Sequence, residues 1–178
     1  MLAKIFTRIP SLAERWVEKD IERQQSPDAP PEAGVIEEEI SKGIPWSQPV
    51  KPLKECRVAI VTTAGVHLKT DEPFDMFEEE GDATYRIIPS ASTQDELMIT
   101  HDYYEHIDAD RDVNIIFPIH RLRDLAGSGY IGSVASNHFG FMGHIVGSLV
   151  SRLIHETAKE VAGKLKEDGV DIAIMVPG

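Results

Sequence analysis

A long amphipathic segment followed by a short apolar run in the last third of the sequence most narrows the possible folds. From Leu149 to Leu165, apolar residues recur at helical spacing and keep one face apolar. Gly169 ends this predicted helix, and Ile172 to Val176 form an apolar run without polar alternation. Such a run after a helix and a glycine turn predicts the last strand of an α/β sheet.

Two further apolar runs extend the same pattern. Arg57 to Thr63 reads as a buried strand that leads into a loop at Gly65, and Val113 to Phe117 predicts another strand. A helix is predicted over Ile119 to Ala126. Strands that alternate with helices predict an α/β fold, with a Rossmann-like open, mostly parallel sheet.

The segments between these runs are less regular. Leu68 to Ile99 is acidic and rich in turn residues, which predicts a long excursion with one short strand. Ile131 to Ala135 is compatible with a further short strand, and a loop is predicted after it.

The first 52 residues are predicted to form an N-terminal arm, and residues 53–178 the α/β domain. Ser11 to Arg23 is an amphipathic helix by its spacing, whereas prolines interrupt Ser26 to Gly34 and Ile44 to Pro52. The arm could pack across its own domain or reach another subunit, because Trp16 and Trp46 need a surface to bury against.

Composition excludes several classes of protein. The 18 basic and 30 acidic residues leave a net charge of −12, which argues against a nucleic-acid partner. No apolar run approaches 20 residues and no secretory leader is evident, so no membrane association and a cytoplasmic location are expected. Cys56 is the single cysteine, which excludes an internal disulfide, and it is predicted to be a half-buried structural thiol.

Residues 100–112 form the densest polar cluster, THDYYEHIDADRD. Its histidines, His101 and His106, could bind Zn or Fe with nearby carboxylates if the loop folds back on itself. Their spacing of five matches no helical metal motif, however. The alternatives are a loop held by side-chain hydrogen bonds and the charge of Arg111, or a substrate-binding segment.

Two other loops offer candidate substrate-binding residues. Thr62, Thr63 and His67 lie where a loop after the first strand could receive a carboxylate or a phosphate, although dinucleotide and Walker motifs are absent. Asn137 and His138 belong to a predicted loop that could form a pocket with an apolar floor, or else a packed aromatic turn. The absence of Gly-x-Ser-x-Gly argues against a serine hydrolase.

Three stretches, residues 51–76, 100–143 and 164–178, together resemble the selenoprotein B family of the glycine, sarcosine, betaine and D-proline reductases. The resemblance implies reductive cleavage of a carbon–nitrogen bond, with electrons from a dithiol or a small redox carrier. It also implies a partner subunit that carries a pyruvoyl group. In the family, the reacting selenocysteine or cysteine follows the strand that corresponds to Ile172 to Val176. A selenol, like a low-pKa thiolate, is ionised at neutral pH and is a strong nucleophile.

This sequence departs from that pattern because it ends at Gly178, so no catalytic residue is assigned within it and one is expected immediately after Gly178. Cys56 precedes a strand at the wrong end of the sheet and cannot take the role. We expect that a UGA selenocysteine codon was read as a stop. A deliberately shortened chain and a member that has lost the reaction are the alternatives.

The expected consequences are a chain that is inactive alone and a final strand with uncovered apolar surface. Such a surface favours homo- or hetero-oligomers, or poor solubility, unless the arm covers it. Two other classes of function stay open: a noncatalytic small-molecule or metal-binding α/β domain, and a subunit that serves only assembly.

Overall fold

The computed structural model describes residue 38, residues 41–43 and residues 49–178. The helix predicted over Ser11 to Arg23 lies outside the described residues, as do Trp16 and Trp46.

A mixed, mostly parallel sheet organises the described part of the chain. The strands in chain order are β1 (Arg57–Thr62), β2 (Val66–Leu68), β3 (Tyr85–Pro89), β4 (Leu97–Ile99), β5 (Ser133–Val134), β6 (Asn137–Phe141) and β7 (Ile172–Val176). Strand β1 is central and runs parallel to β5 and β6 along one edge and to β7 along the other. Strand β3 pairs with β6 antiparallel, and β2 pairs with β4 in a separate antiparallel ribbon. The predicted α/β class and mostly parallel sheet are confirmed.

Four α-helical segments accompany the sheet in this part of the chain. They are α1 (Ile107–Arg111), α2 (Ile119–Gly127), α3 (Ser148–Arg152) and α4 (Ala158–Glu167). A π-helical turn, Leu153–Thr157, joins α3 to α4, so the long helix predicted from its apolar face is confirmed with one irregular turn. The helix predicted over Ile119 to Ala126 is confirmed as α2.

The strand predicted at Val113 to Phe117 is wrong, because Val113–Ile115 form a 3-10 turn. The carboxylate of Asp112 accepts hydrogen bonds from the backbone N–H and the side-chain amide of Asn114, at 3.0 and 2.7 Å, which favours a tight turn over an extended chain. Val113 and Phe117 are nevertheless buried in the core. The apolar run therefore marks burial, which periodicity cannot distinguish from a strand.

The loop predicted after Ile131 to Ala135 is also wrong, because Asn137–Phe141 form β6. The short strand before it is confirmed as β5, Ser133–Val134. The excursion from Leu68 to Ile99 contains β3 and β4, one strand more than predicted. These strands pair with partners that are distant in sequence, so their stability comes from tertiary contacts rather than from local pattern.

The two faces of the sheet carry separate apolar clusters. One contains Ile60, Phe117 and Ile119, and the other packs Phe139 and Val161 together.

Cys56 is fully buried rather than half-buried, as a small apolar side chain can be. Within the described ranges, no helix is both long and apolar enough to cross a membrane. Along β7, Met175 is 66% exposed, so this strand carries apolar surface at the edge of the sheet.

A polar clamp fixes the end of α4 to the sheet. The carboxylate of Asp168 accepts a hydrogen bond from the Arg57 guanidinium at 2.8 Å, and its other oxygen accepts from the backbone N–H of Ser136 at 2.6 Å. Replacing Asp168 by Ala is expected to lower the free energy of unfolding by about 2 kcal/mol. The substitution removes charge-assisted hydrogen bonds, which contribute free energies of this size. Urea denaturation measures this change.

The control for that experiment is Asp124→Ala. Asp124 is well exposed and lies 3.7 Å from Arg121, so its loss should change stability by no more than about 0.5 kcal/mol. Equal effects of the two substitutions would show that the clamp does not stabilise the fold.

Candidate functional site at the carboxyl edge

The carboxyl ends of β1, β6 and β7 meet at one edge of the sheet because these strands are parallel. The backbone N–H of Thr63 donates to the carbonyl of Val176 at 3.0 Å. Gly178 packs so closely that a Cβ there would lie 2.6 Å from the Cα of Ala64. The segments that follow the three strands are therefore in contact at the edge where open α/β sheets bind ligands.

Residues 100–106 lie across the loop that follows β1. The backbone N–H of Thr100 donates to the carbonyl of Gly65 at 2.9 Å, and the Tyr104 hydroxyl donates to the carbonyl of Ala64 at 2.9 Å. Gly65 has a φ of +71°, and a Cβ there would lie 2.5 Å from the carbonyl oxygen of Thr100. Glycine is thus needed for both the backbone conformation and the close approach of the two segments.

Imidazole and phenol rings gather in this crossing, and we call them the edge cluster. Its members are His101, Tyr103, Tyr104, His106 and His144. The His101 ring meets Tyr104 edge to face with ring centroids 4.9 Å apart, and Tyr103 stacks on His144 at 4.3 Å. These contacts hold the rings in fixed relative orientations.

His101 is the most deeply buried histidine of the edge cluster, with 7% of its surface exposed. Burial, followed by the fields of His144 and His106, lowers the pKa of His101 to about 4. Its Nδ1 accepts a hydrogen bond from the backbone N–H of Tyr103 at 3.2 Å. Because an accepting nitrogen carries no proton, the neutral ring is protonated at Nε2.

The other cluster members have different roles. His106 directly precedes α1, and its Nδ1 lies 2.9 Å from the carboxylate of Asp110 within that helix. Burial, with a smaller effect of Asp110, raises the pKa of Tyr104 to about 12, so its hydroxyl remains neutral. The cluster can therefore offer polar groups to a ligand without an ionised phenolate.

The three candidates from the first predicted loop are separated by the structure. Thr62 is fully buried and its hydroxyl donates to the carbonyl of Ile116 at 3.0 Å, so it links the sheet to the chain before α2. Thr63 lies at the carboxyl edge. His67 is buried in β2, where its nitrogens lie 2.8 Å from the Thr100 hydroxyl and 2.7 Å from the Leu68 carbonyl.

Asn137 and His138 lie away from the carboxyl edge, at the amino end of β6. Asn137 lines a cavity of about 370 Å³ between the sheet and α4, together with Lys164 and Asp168. His138 is fully buried, and its Nδ1 accepts from the backbone N–H of Ile60 at 2.9 Å. The structure therefore brings Thr63, His101 and His106 to one edge and leaves the other four candidates elsewhere.

Three members of the site were not among the predicted residues: Tyr103, Tyr104 and His144. The Tyr-Tyr pair between two histidines was visible in the sequence, and His144 follows Gly143, whose φ of +98° positions the turn after β6. No group of three or more His, Cys, Asp or Glu residues that could hold a metal ion occurs among the residues described.

The fold and the edge cluster define an α/β domain whose polar loops gather at the carboxyl ends of its parallel strands. The chain belongs to the glycine/sarcosine/betaine reductase selenoprotein B family, whose model matches residues 35–177.

Curated relatives agree with this assignment. The D-proline reductase subunit gamma of Acetoanaerobium sticklandii is 38% identical over 133 residues, which cover 75% of this chain and 53% of that protein. The betaine reductase complex component B subunit beta of Peptoclostridium acidaminophilum is 30% identical, over 71% of this chain and 29% of that protein. The glycine reductase complex component B subunit gamma of Carboxydothermus hydrogenoformans is 24% identical, over 74% and 30%. The chain thus spans about half or less of these relatives, and no solved structure matches it.

Proposed function

We propose that this chain is part of a selenoprotein-B-type subunit of an amino-acid reductase, which cleaves a carbon–nitrogen bond of glycine, sarcosine, betaine or D-proline. The observation that carries the proposal is the family match over residues 35–177. The gathering of loops and rings at the carboxyl edge supports it, because ligands of open α/β sheets bind there.

D-proline is the first substrate to test. The relative that acts on D-proline is 38% identical, against 30% and 24% for the betaine and glycine relatives. In the proposed reaction, the bond between the α-carbon and the ring nitrogen breaks and each atom gains a hydrogen, giving 5-aminopentanoate. A dithiol supplies the two electrons and two protons and becomes a disulfide.

The reacting selenocysteine or cysteine is proposed to follow Gly178. The support is the position of Gly178, which packs on Ala64 beside the edge cluster. A partner subunit is proposed to carry a pyruvoyl group, whose carbonyl would activate the substrate. A dithiol or a small redox carrier completes the proposed hetero-oligomeric system. The cytoplasm is the proposed compartment, because thiols stay reduced there.

The test is to tag this chain in its native source, isolate the complex it forms, and assay substrate loss with dithiothreitol as the dithiol. We expect D-proline to be consumed and 5-aminopentanoate to form, with one dithiothreitol oxidised per product. A complex that consumes none of the four amino acids would contradict the proposal. Stable association with partner proteins but no turnover would favour the assembly or binding alternatives.

A further inference from the structure

His101 is mostly buried, with 7% of the residue exposed, and only one of its two ring nitrogens has a hydrogen-bond partner among the described residues. Its Nδ1 is occupied by the backbone N–H of Tyr103. Across the residues that the structure describes, Nε2 has no hydrogen-bond partner. Nε2 of His101 is not one of the fully buried side-chain atoms that lack a partner in the described part of the chain, so it reaches the surface of the site, where an acceptor atom of a ligand can bind.

The chemistry of this atom is fixed by its surroundings. Because Nδ1 accepts a hydrogen bond, the neutral ring carries its proton on Nε2 and can only donate there. The edges and faces of Tyr103 and Tyr104, with centroids 5.7 and 4.9 Å from that of His101, hold the ring in place. The ligand atom must therefore be an acceptor, such as a carboxylate oxygen.

The space beside Nε2 is kept open by a glycine. A Cβ at Gly143 would lie 3.0 Å from Nε2 of His101 and 2.2 Å from the carbonyl oxygen of Thr63. Any side chain at Gly143 would therefore crowd the approach to Nε2. The φ of +98° at Gly143 also favours glycine. The backbone conformation and the access to Nε2 of His101 therefore both require glycine at this position.

The charged groups identified near the edge cluster are carboxylates. Asp102 acts on the ionisation of Tyr103, and Asp110 on that of Tyr104, so carboxylates lie near the phenol rings. A zwitterion, with a carboxylate for the His101 donor and an ammonium group for nearby carboxylates, fits this environment better than a multiply charged anion.

We propose that the Nε2–H of His101 donates a hydrogen bond to the α-carboxylate of the amino-acid substrate and so determines specificity for that group. The inference rests on the proposed function, whose four candidate substrates all carry this carboxylate. It assigns to the present chain the recognition of the part of the substrate that does not react.

The test compares wild-type complex with His101→Asn and His101→Gln complexes, using D-proline as substrate and D-prolinamide as competitor. Asn can still accept from the N–H of Tyr103 but lacks a donor at the Nε2 position, whereas Gln places an amide N–H near that position. We expect the Asn variant to raise KM for D-proline by about 10- to 100-fold, the range of a hydrogen bond to a charged group, with a smaller change in kcat. The Gln variant should recover part of this loss.

The preference of the complex for D-proline over D-prolinamide is a readout that would not change if His101 had only a structural role. Wild-type complex should prefer D-proline over D-prolinamide, and His101→Asn should lose about 10- to 100-fold of that preference. His155→Gln, at an exposed position in the π-helical turn, serves as the control and should leave KM as in wild type. Thermal unfolding of each complex verifies that the variants are folded, and His101→Leu is the second donor-free variant if the Asn variant does not fold.

The results separate the two proposals. An unchanged KM in His101→Asn, or an equal loss of affinity for D-proline and D-prolinamide, would overturn the role of His101 while leaving the reductase function standing. A fall in kcat alone would also overturn it, since it would place His101 with the redox residue instead. A wild-type complex without activity on any of the four substrates would overturn the proposed function and this inference with it.

Discussion

Lowering the pH from 7 to 4.5 is expected to reduce the free energy of unfolding by several kcal/mol, through His101 and His138. Burial is the main cause that lowers the pKa of each imidazole from 6.5 to about 4 in the folded chain. Between pH 6.5 and pH 4 the unfolded chain therefore binds more protons than the folded chain, so stability falls as the pH falls. Each histidine contributes about 2.4 kcal/mol to this loss between pH 7 and pH 4.5, since each pKa unit corresponds to about 1.4 kcal/mol and the window does not include the whole shift.

The environment of His138 explains why protonation is so unfavourable there. Its Nδ1 accepts from the backbone N–H of Ile60, and its ring meets Phe117 edge to face at 5.6 Å. Protonation would remove that acceptor and place a charge in the core, while Arg123 and Arg57 disfavour the cation further. Burial also lowers the pKa of His67, which adds to the loss in the same pH range.

The measurement is a series of urea titrations from pH 7 to pH 4.5 on wild type and on His138→Asn. The Asn oxygen can still accept from the N–H of Ile60 but does not titrate, so the pH-dependent loss should shrink by about 2.4 kcal/mol. His155→Asn, at an exposed position, should leave the pH dependence as in wild type. If His138→Asn lost as much stability on acidification as wild type, the buried imidazole would not be the source of the effect.

The apolar pattern of the sequence predicted strands β1 and β7 and the helix from α3 to α4. Strand β1 and the helix from α3 to α4 were found this way because each packs apolar side chains into one of the two clusters, whereas β7 is largely exposed and was found from its apolar run alone. Val113 to Phe117 is apolar for the same reason but is bent by the side chains of Asp112 and Asn114. A five-residue apolar run does not by itself distinguish a buried strand from a buried turn.

Strand β6 shows why the site was only partly predictable. Its sequence, NHFGF, has the glycine, asparagine and histidine of a loop, yet His138 fills the core and Gly140 lies where β2 crosses the sheet. The positions of these residues in a strand depend on contacts with segments about 75 residues away in the chain. The same applies to Tyr104, whose role became evident only from its hydrogen bond to Ala64. Thr63, His101 and His106 were predicted only as residues of separate loops, and it is the structure that brings them to one edge.

Gly140→Ala is expected to lower the free energy of unfolding by at least about 3 kcal/mol, because it overpacks the place where two layers of backbone meet. A Cβ at Gly140 would lie 2.0 Å from the carbonyl oxygen of Val66 and 3.5 Å from Cδ1 of Ile88. Backbone atoms cannot rotate away as a side chain can, so β2 or β6 must shift. Urea denaturation at pH 7 measures the loss.

The matched control is Gly163→Ala in α4, where a new Cβ meets no atom within 4 Å. Alanine is the better helix former, so this variant should gain about 1 kcal/mol. Since β2 pairs with β4 through Val66 and Ile99, a shift of β2 in Gly140→Ala should also displace the segment that begins at Thr100. We therefore expect Gly140→Ala, but not Gly163→Ala, to weaken substrate binding in the assembled complex. Similar stabilities of the two variants would mean that β2 does not press on the sheet and that the edge cluster is positioned by other contacts.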